Sequence, residues 1–276
     1  MIFIQEEHDM SNHKINIGNV ELISVSDGTG DREPTFVFPD SDLAIWQSEF
    51  SELLDDNNHL HPRYGSVIIR SEGKLILVDT GLQAPGGTLI KELNNNGVAP
   101  DQIDLVVMTH LHPDHVGWNF SNGLPTFPNA RYLAPKSDWE YWVHPDIYKD
   151  AEHIVNQVLP LENLNLIDLM ADEYSITSEI MTVATPGHTP GHVSLLITSR
   201  GEQGFVLGDV AHNPAQAHYT DWNPVFDIQP ELSRQTRHNI LDRLESENLM
   251  VSAGHFPTPG FGKFIRSGNR RIWQGV

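Results

Sequence analysis

The sequence predicts an α/β protein with substantial sheet. Short β-branched, apolar runs recur along the chain, each closed by turn residues, and stretches with apolar residues at helical spacing lie between them. No internal repeat, low-complexity tract or linker-like Pro/Ser/Gly run divides the 276 residues, so one domain over 1–276 is expected.

Taken in order, residues 1–64 are expected to hold an N-terminal strand and a loop-rich flap. Its stretch 27–63 is rich in Asp, Pro and isolated aromatics (Phe36, Phe38, Trp46, Phe50), with a helix signal only over 43–54. A core over 65–276 follows. Strands are expected at 66–70, 74–78, 104–109, 194–198, 205–207 and 248–252, where apolar runs end in Gly, Asn or Asp. Helices are expected at 88–96, 136–142 and 230–247, the last with Leu232, Thr236, Ile240 and Leu244 at helical spacing. The C-terminal stretch 260–273 reads as a hairpin turning at Ser-Gly-Asn. Its four basic residues are weighed as an edge strand kept soluble by charge or as a small anion-binding patch, the former favoured.

Composition excludes several functions. With 37 acidic and 17 basic side chains the net charge is −20, which repels nucleic-acid backbones and anionic membrane surfaces. The absence of Cys excludes disulfides, thiolate metal sites and cysteine nucleophiles. The first fourteen residues carry acids where a secretory signal needs a basic segment. No apolar run approaches the roughly 20 residues of a membrane span, so a soluble, cytoplasmic protein is expected. The 15 histidines are in excess, and their placement is informative.

Residues 109–115, Thr-His-Leu-His-Pro-Asp-His, put His110, His112, Asp114 and His115 within six positions directly after an apolar strand. His110 and His112 alternate and can face one point, while Asp114 and His115 on the next turn can address a second. Two metals suit this spacing better than one. Further ligands should follow other strands, where open α/β sheets gather their sites. His188 in Thr-Pro-Gly-His-Thr-Pro-Gly-His (185–192), Asp209 and His255 do so, each preceded by a glycine.

This set, with Asp79 in Leu-Val-Asp-Thr-Gly (77–81), resembles the metallo-β-lactamase fold hydrolases from about residue 65 onward. The resemblance implies an αββα sandwich: two mixed β-sheets flanked by helices, with the site in a groove along one edge. It implies that His110, His112 and His188 hold one divalent metal, Asp114, His115 and His255 a second, and that Asp209 bridges them. Imidazole and carboxylate ligands favour Zn²⁺ and accept Mn²⁺, Co²⁺ or Fe²⁺. Relatives with a redox di-iron site place Glu where His112 stands, so hydrolysis is favoured.

The expected function is therefore hydrolysis by a metal-bridging hydroxide, with Asp209, Asp114 and His212 as catalytic groups. His212 stands where lactonases of this fold commonly carry a tyrosine that polarises the substrate carbonyl. His192 and Asp79 are expected to orient ligands rather than bind metal. The hairpin and 253–257 resemble the acyl-homoserine lactonase and methyl parathion hydrolase branch. A lactone or other small carboxylic ester leads as substrate, followed by an organophosphate or aryl triester and then a thioester. A metal-stabilised ligand-binding protein is the non-enzymatic alternative. Trp118, Phe120, Trp222, Phe226, Phe36, Phe38 and Trp46 are weighed as pocket walls against ordinary core, and a homodimer is an expectation.

Overall fold

In the computed structural model, residues 13–276 are described. The acidic N-terminal stretch read for a targeting signal lies almost wholly outside them. The chain opens with β1 (Lys14–Ile17) and β2 (Val20–Thr29), then passes into the flap with α1 (Pro34–Val37) and α2 (Leu43–Glu49). It returns through β3 (Arg63–Ser71) and β4 (Lys74–Val78), α3 (Leu89–Asn95), β5 (Leu105–Val107) and α4 (Pro113–Val116). A small ribbon of β6 (Phe120–Ser121) and β7 (Leu124–Pro125) precedes β8 (Arg131–Pro135), α5 (Lys136–Trp142), α6 (Pro145–Tyr148), α7 (Leu159–Asn163) and β9 (Ile167–Met170). The second half runs β10 (Ile180–Ala184), β11 (Val193–Ser199), β12 (Glu202–Val206), α8 (Pro230–Ser246), β13 (Met250–Ser252), β14 (Phe261–Ser267) and β15 (Arg270–Gly275).

Two mixed sheets result, ordered β1-β2-β3-β4-β5-β8-β9 and β10-β11-β12-β13-β14-β15. In the first, β1 to β4 pair antiparallel and β4, β5, β8 and β9 parallel; in the second, only β12 and β13 pair parallel. Side-chain alternation explains the layers. Leu22, Val67, Ile69, Ile76, Val78 and Val107 meet Ile180, Leu195, Ile197, Val206 and Phe261 between the sheets. The opposite faces pack helices: Ile68, Leu77, Val106 and Tyr132 against Leu89, Leu93 and Trp139 on one side, and Phe205, Val251 and Phe264 against Ile240, Leu241 and Leu244 on the other. This is the αββα sandwich.

All the expected core strands and helices form, with shifted ends. The expected strand 104–109 contracts to β5, because beyond Val107 the backbone turns to present Thr109 and His110 to the site. The flap carries α2 as a true helix, its N-terminus closed by the Asp42 carboxylate accepting Ala44 N–H at 2.8 Å. The hairpin forms as expected. Its arginines are spoken for, Arg266 and Arg271 by Glu245 and Arg270 by Glu49, so the anion-patch reading is withdrawn. No helix among the described residues is long and apolar enough to cross a membrane.

Candidate metal centre

The centre is assembled from loops that leave the ends of the two sheets' inner strands. β5 runs into His110 and His112, and α4 follows at once, so Asp114 and His115 turn back over the same point. The loop from β10 to β11 carries His188, the exit of β12 carries Asp209 and the exit of β13 carries His255.

Two of the preceding glycines are required by geometry. Gly187 (φ 129°) and Gly208 (φ 57°) occupy the left-handed half of the map, and a Cβ at Gly208 would lie 2.5 Å from His192 Nε2. Gly191 is needed for closeness: a Cβ there would sit 2.0 Å from the backbone nitrogen of Asp138.

The ring nitrogens converge. His112 Nδ1 lies 3.1 Å from His110 Nε2 and 2.8 Å from His188 Nε2. Burial, together with the neighbouring rings, holds His110, His112 and His188 well below the ordinary histidine range, so they are neutral and offer lone pairs toward one point. Beside them, Asp114 Oδ2 lies 3.8 Å from His115 Nε2 and 3.6 Å from His255 Nε2. Here burial is outweighed by the carboxylates of Asp209, Asp79 and Asp114, which hold His115 well above its usual range; Asp209 and Asp114 hold His255 up at about 9.

Asp209 stands between the two sets. Its Oδ2 is 3.3 Å from His188 Nε2, 3.8 Å from His110 Nε2, 3.4 Å from His115 Nε2 and 3.0 Å from His255 Nε2. Buried carboxylates of this kind demand positive charge, from protons on His115 and His255 or from cations that displace them. His115 Nε2 and Asp209 Oδ1 are buried and have no hydrogen-bond partner among the described residues, as expected of atoms reserved for something other than protein. Imidazoles and carboxylates whose ligand atoms lie within 4.8 Å of one another fit divalent cations once ring protons are displaced, and clusters His110-His112-His188, His110-His115-Asp209 and Asp114-His115-His255 each meet that distance.

An outer layer fixes the rings. His115 Nδ1 donates to Asp79 Oδ2 at 2.9 Å, and the same carboxylate takes Thr109 Oγ1 at 2.8 Å. Asp79 adopts φ 60°, a left-handed conformation that Asp tolerates and that aims its carboxylate inward. His188 Nδ1 donates to Asp227 Oδ1 at 2.9 Å, and His255 Nδ1 to the Arg63 carbonyl at 2.7 Å. His192 is not a ligand candidate here. Its Nε2 accepts the Asp209 N–H at 2.8 Å, which puts its proton on Nδ1 facing the Thr185 carbonyl at 3.1 Å. Burial pushes its pKa down to about 4.

Sequence reasoning missed three supports. Asp138, fully buried at the start of α5, accepts Leu111 N–H at 2.8 Å and Gly191 N–H at 3.0 Å, tying the His110–His112 loop to the His188 loop. Asp227 is braced by Arg237, whose side chain is fully buried and also donates to the carbonyls of Val210, Thr220 and Trp222. Lone Asp and Arg residues without a motif gave no signal for either. His212 is drawn closer than expected, with Nε2 3.1 Å from Asp209 Oδ2 but both ring nitrogens out of line for a hydrogen bond. It joins His188 and Asp209 in a further metal-competent cluster.

A cavity of about 300 Å³ opens onto this centre. Val37, Phe38, Leu60, Pro62 and Leu82 wall it, with His212 and Asp114 at its floor. Of the aromatics weighed as walls, only Phe38 and Phe226 line it. Trp46 and Trp222 pack behind Phe38 with ring centroids 5.2 Å apart, Phe120 is core, Trp118 donates to Asp27, and Phe36 faces solvent.

An αββα sandwich whose inner strand ends gather five imidazoles and two carboxylates defines a metal-binding hydrolase fold. The metallo-beta-lactamase superfamily model matches residues 66–255, and the chain belongs to that family. It is 25% identical over 167 residues to an N-acyl homoserine lactonase of Bacillus thuringiensis; the match takes in 60% of this chain and 61% of that protein. Among solved structures, the hydrolase AbOPH of the beta-lactamase superfamily superposes with TM-score 0.87 at 22% identity, over 96% of this chain and 97% of that one. The dizinc quorum-quenching lactonase AidC, solved with a product, gives 0.85 at 22% identity over 95% and 96%.

Proposed function

We propose that this chain is a dinuclear metal-dependent hydrolase of a lactone or other carboxylic ester, with zinc as the favoured ion. The observation that carries the reading is Asp209 Oδ2, one oxygen within 3.8 Å of four imidazole nitrogens drawn from both candidate sets. His110, His112 and His188 would hold the first ion, Asp114, His115 and His255 the second, with Asp209 shared. When bound, such ions supply Lewis-acid polarisation of a carbonyl and acidify water at neutral pH.

The chain's own groups do the rest. Asp209, with its amide fixed by His192, is held at one orientation and is the group to carry a proton toward a leaving oxygen. His212, buried with two unpartnered nitrogens, donates a hydrogen bond to the carbonyl oxygen. Asp114 and His255 orient at the other end. The apolar wall of Val37, Phe38, Leu60 and Leu82 excludes water from the acyl chain. Lactone substrates are supported by the names of similar proteins, which are N-acyl homoserine lactonases.

The test couples metal analysis to initial rates on a lactone series, a phosphotriester and a thioester. About two metal ions per chain with lactone turnover is expected, and Asp209→Ala should lose both. Full turnover by metal-free protein overturns the mechanism, and a rapid phosphotriester rate with none on lactones overturns the substrate.

A further inference from the structure

The lining of the cavity above the metal centre is of two kinds. One is apolar, formed by Val37, Phe38, Leu60 and Phe226. The other is polar and includes Asp114 and Tyr64, both half-buried, and Arg32, which is exposed and so stands at the solvent end. Tyr64 lies near both charged groups: burial pushes its hydroxyl pKa up, Arg32 pulls it down and Asp114 pushes it up again.

Among the described residues, Arg32 is the single lysine or arginine lining the cavity. Its backbone is pinned, N–H to the Leu60 carbonyl at 3.0 Å and carbonyl from Leu60 N–H at 2.8 Å, so the guanidinium projects from a fixed point. Within the protein its one hydrogen bond among the described residues is Nη1 to the neighbouring Asp31 carbonyl at 2.8 Å. The Asp31 carboxylate is already engaged by His59 Nδ1 at 2.5 Å, and the adjacent Glu33 makes no ion pair with Arg32. In a chain with 37 acids and 17 bases, a guanidinium without a carboxylate at the mouth of an apolar cavity is a recognition element in search of an acceptor.

Resting on the hydrolase reading above, we infer that the substrate is an ester or lactone of two-faced character, with an apolar chain along the Phe38 and Phe226 side and a carboxylate held by Arg32 at the mouth. The acidic surface of the chain then works as a filter rather than a barrier. Anions are repelled elsewhere and find a single cationic point at the entrance. Tyr64, which lines the same cavity, supplies a further polar group to the substrate.

The experiment uses two esters of equal chain length, one ending in a methyl group and one in a carboxylate, with wild type, Arg32→Ala and Arg32→Lys. Arg32→Ala should lower kcat/KM on the carboxylate-ended ester at least tenfold, through KM, and leave the methyl-ended ester within twofold. Arg32→Lys should restore part of the loss. Calorimetric binding of the matching carboxylate-ended amide, which is not turned over, is measured in parallel. It should weaken tenfold in Arg32→Ala and weaken with added salt in wild type. Equal effects on both esters, or amide binding unaltered by Arg32→Ala, overturn the inference. If neither ester is hydrolysed, the hydrolase reading fails while calorimetry still decides the role of Arg32.

Discussion

Asp138→Asn sets two opposing energies against each other and predicts a pH signature. The wild-type carboxylate accepts Leu111 N–H at 2.8 Å and Gly191 N–H at 3.0 Å. Asparagine keeps one acceptor and turns an amide N–H toward the other donor, losing a hydrogen bond to a charged group worth about 1.5–3 kcal/mol. Burial, partly offset by those N–H groups, has pushed the Asp138 pKa from 3.8 to about 6. Keeping it ionised at neutral pH therefore costs about 3 kcal/mol, a cost the asparagine escapes. At pH 7.5 the two nearly cancel, and global stability should change by less than about 1.5 kcal/mol.

At acid pH they do not cancel. Because the folded pKa is raised, the wild type takes up its proton before the unfolded chain does. Its stabilisation relative to the variant grows as pH falls through 6 and is complete below 3.8. Between pH 7.5 and 4.5 the gap should widen by about 2 kcal/mol in favour of wild type. Urea unfolding of both proteins in chelator, followed by tryptophan fluorescence, measures it. Parallel pH curves would refute the assignment of Asp138 as a buried, ionisable tie between the two loops. Zinc competition at pH 7.5 should show affinity reduced about 10- to 100-fold even where stability is unchanged.

Asp227→Asn removes the anion beside buried Arg237 and His188. Stability should fall by about 2–3 kcal/mol, below the full cost of an orphaned buried charge because Arg237 keeps three carbonyl acceptors, and unchanged unfolding would count against the pair. Gly191→Ala would force a methyl group to 2.0 Å from the Asp138 backbone nitrogen, and a wild-type denaturation midpoint would contradict that packing, since overpacking of this kind costs about 1–3 kcal/mol. His192→Phe leaves the Asp209 N–H without its acceptor, so a loss of about 1–3 kcal/mol together with weaker metal retention is expected by calorimetry and metal analysis.

The ligand candidates were legible because chemistry concentrated them locally. Four fall within residues 110–115, and the others each follow a glycine. The braces were not, because Asp138 and Asp227 act across 27 and 39 residues on partners with no shared pattern. Strands were read where apolar runs were continuous and missed where polar residues interrupt them. β2 carries Ser24 and Ser26 within a largely buried strand, since Ser24 Oγ finds the Pro259 carbonyl, and β8 ends in Pro135 at the entry to α5. The aromatics stayed undivided between wall and core because composition cannot tell a cavity wall from the layer behind it. The packing of Trp46 on Trp222 and the stacking of Trp222 on Tyr219 separate the two.

That aromatic layer divides the labour of the chain. The segment 30–62 supplies much of the cavity wall and none of the ligand candidates, yet it is riveted to the C-terminal half through Trp46 on Trp222 and through Glu49, which takes both Tyr219 and Arg270. Residues of the cavity wall can therefore be exchanged within one surface segment while the candidate metal centre stays fixed. Two of the six tryptophans sit at the seam, so indole emission offers a built-in gauge of whether the wall is seated.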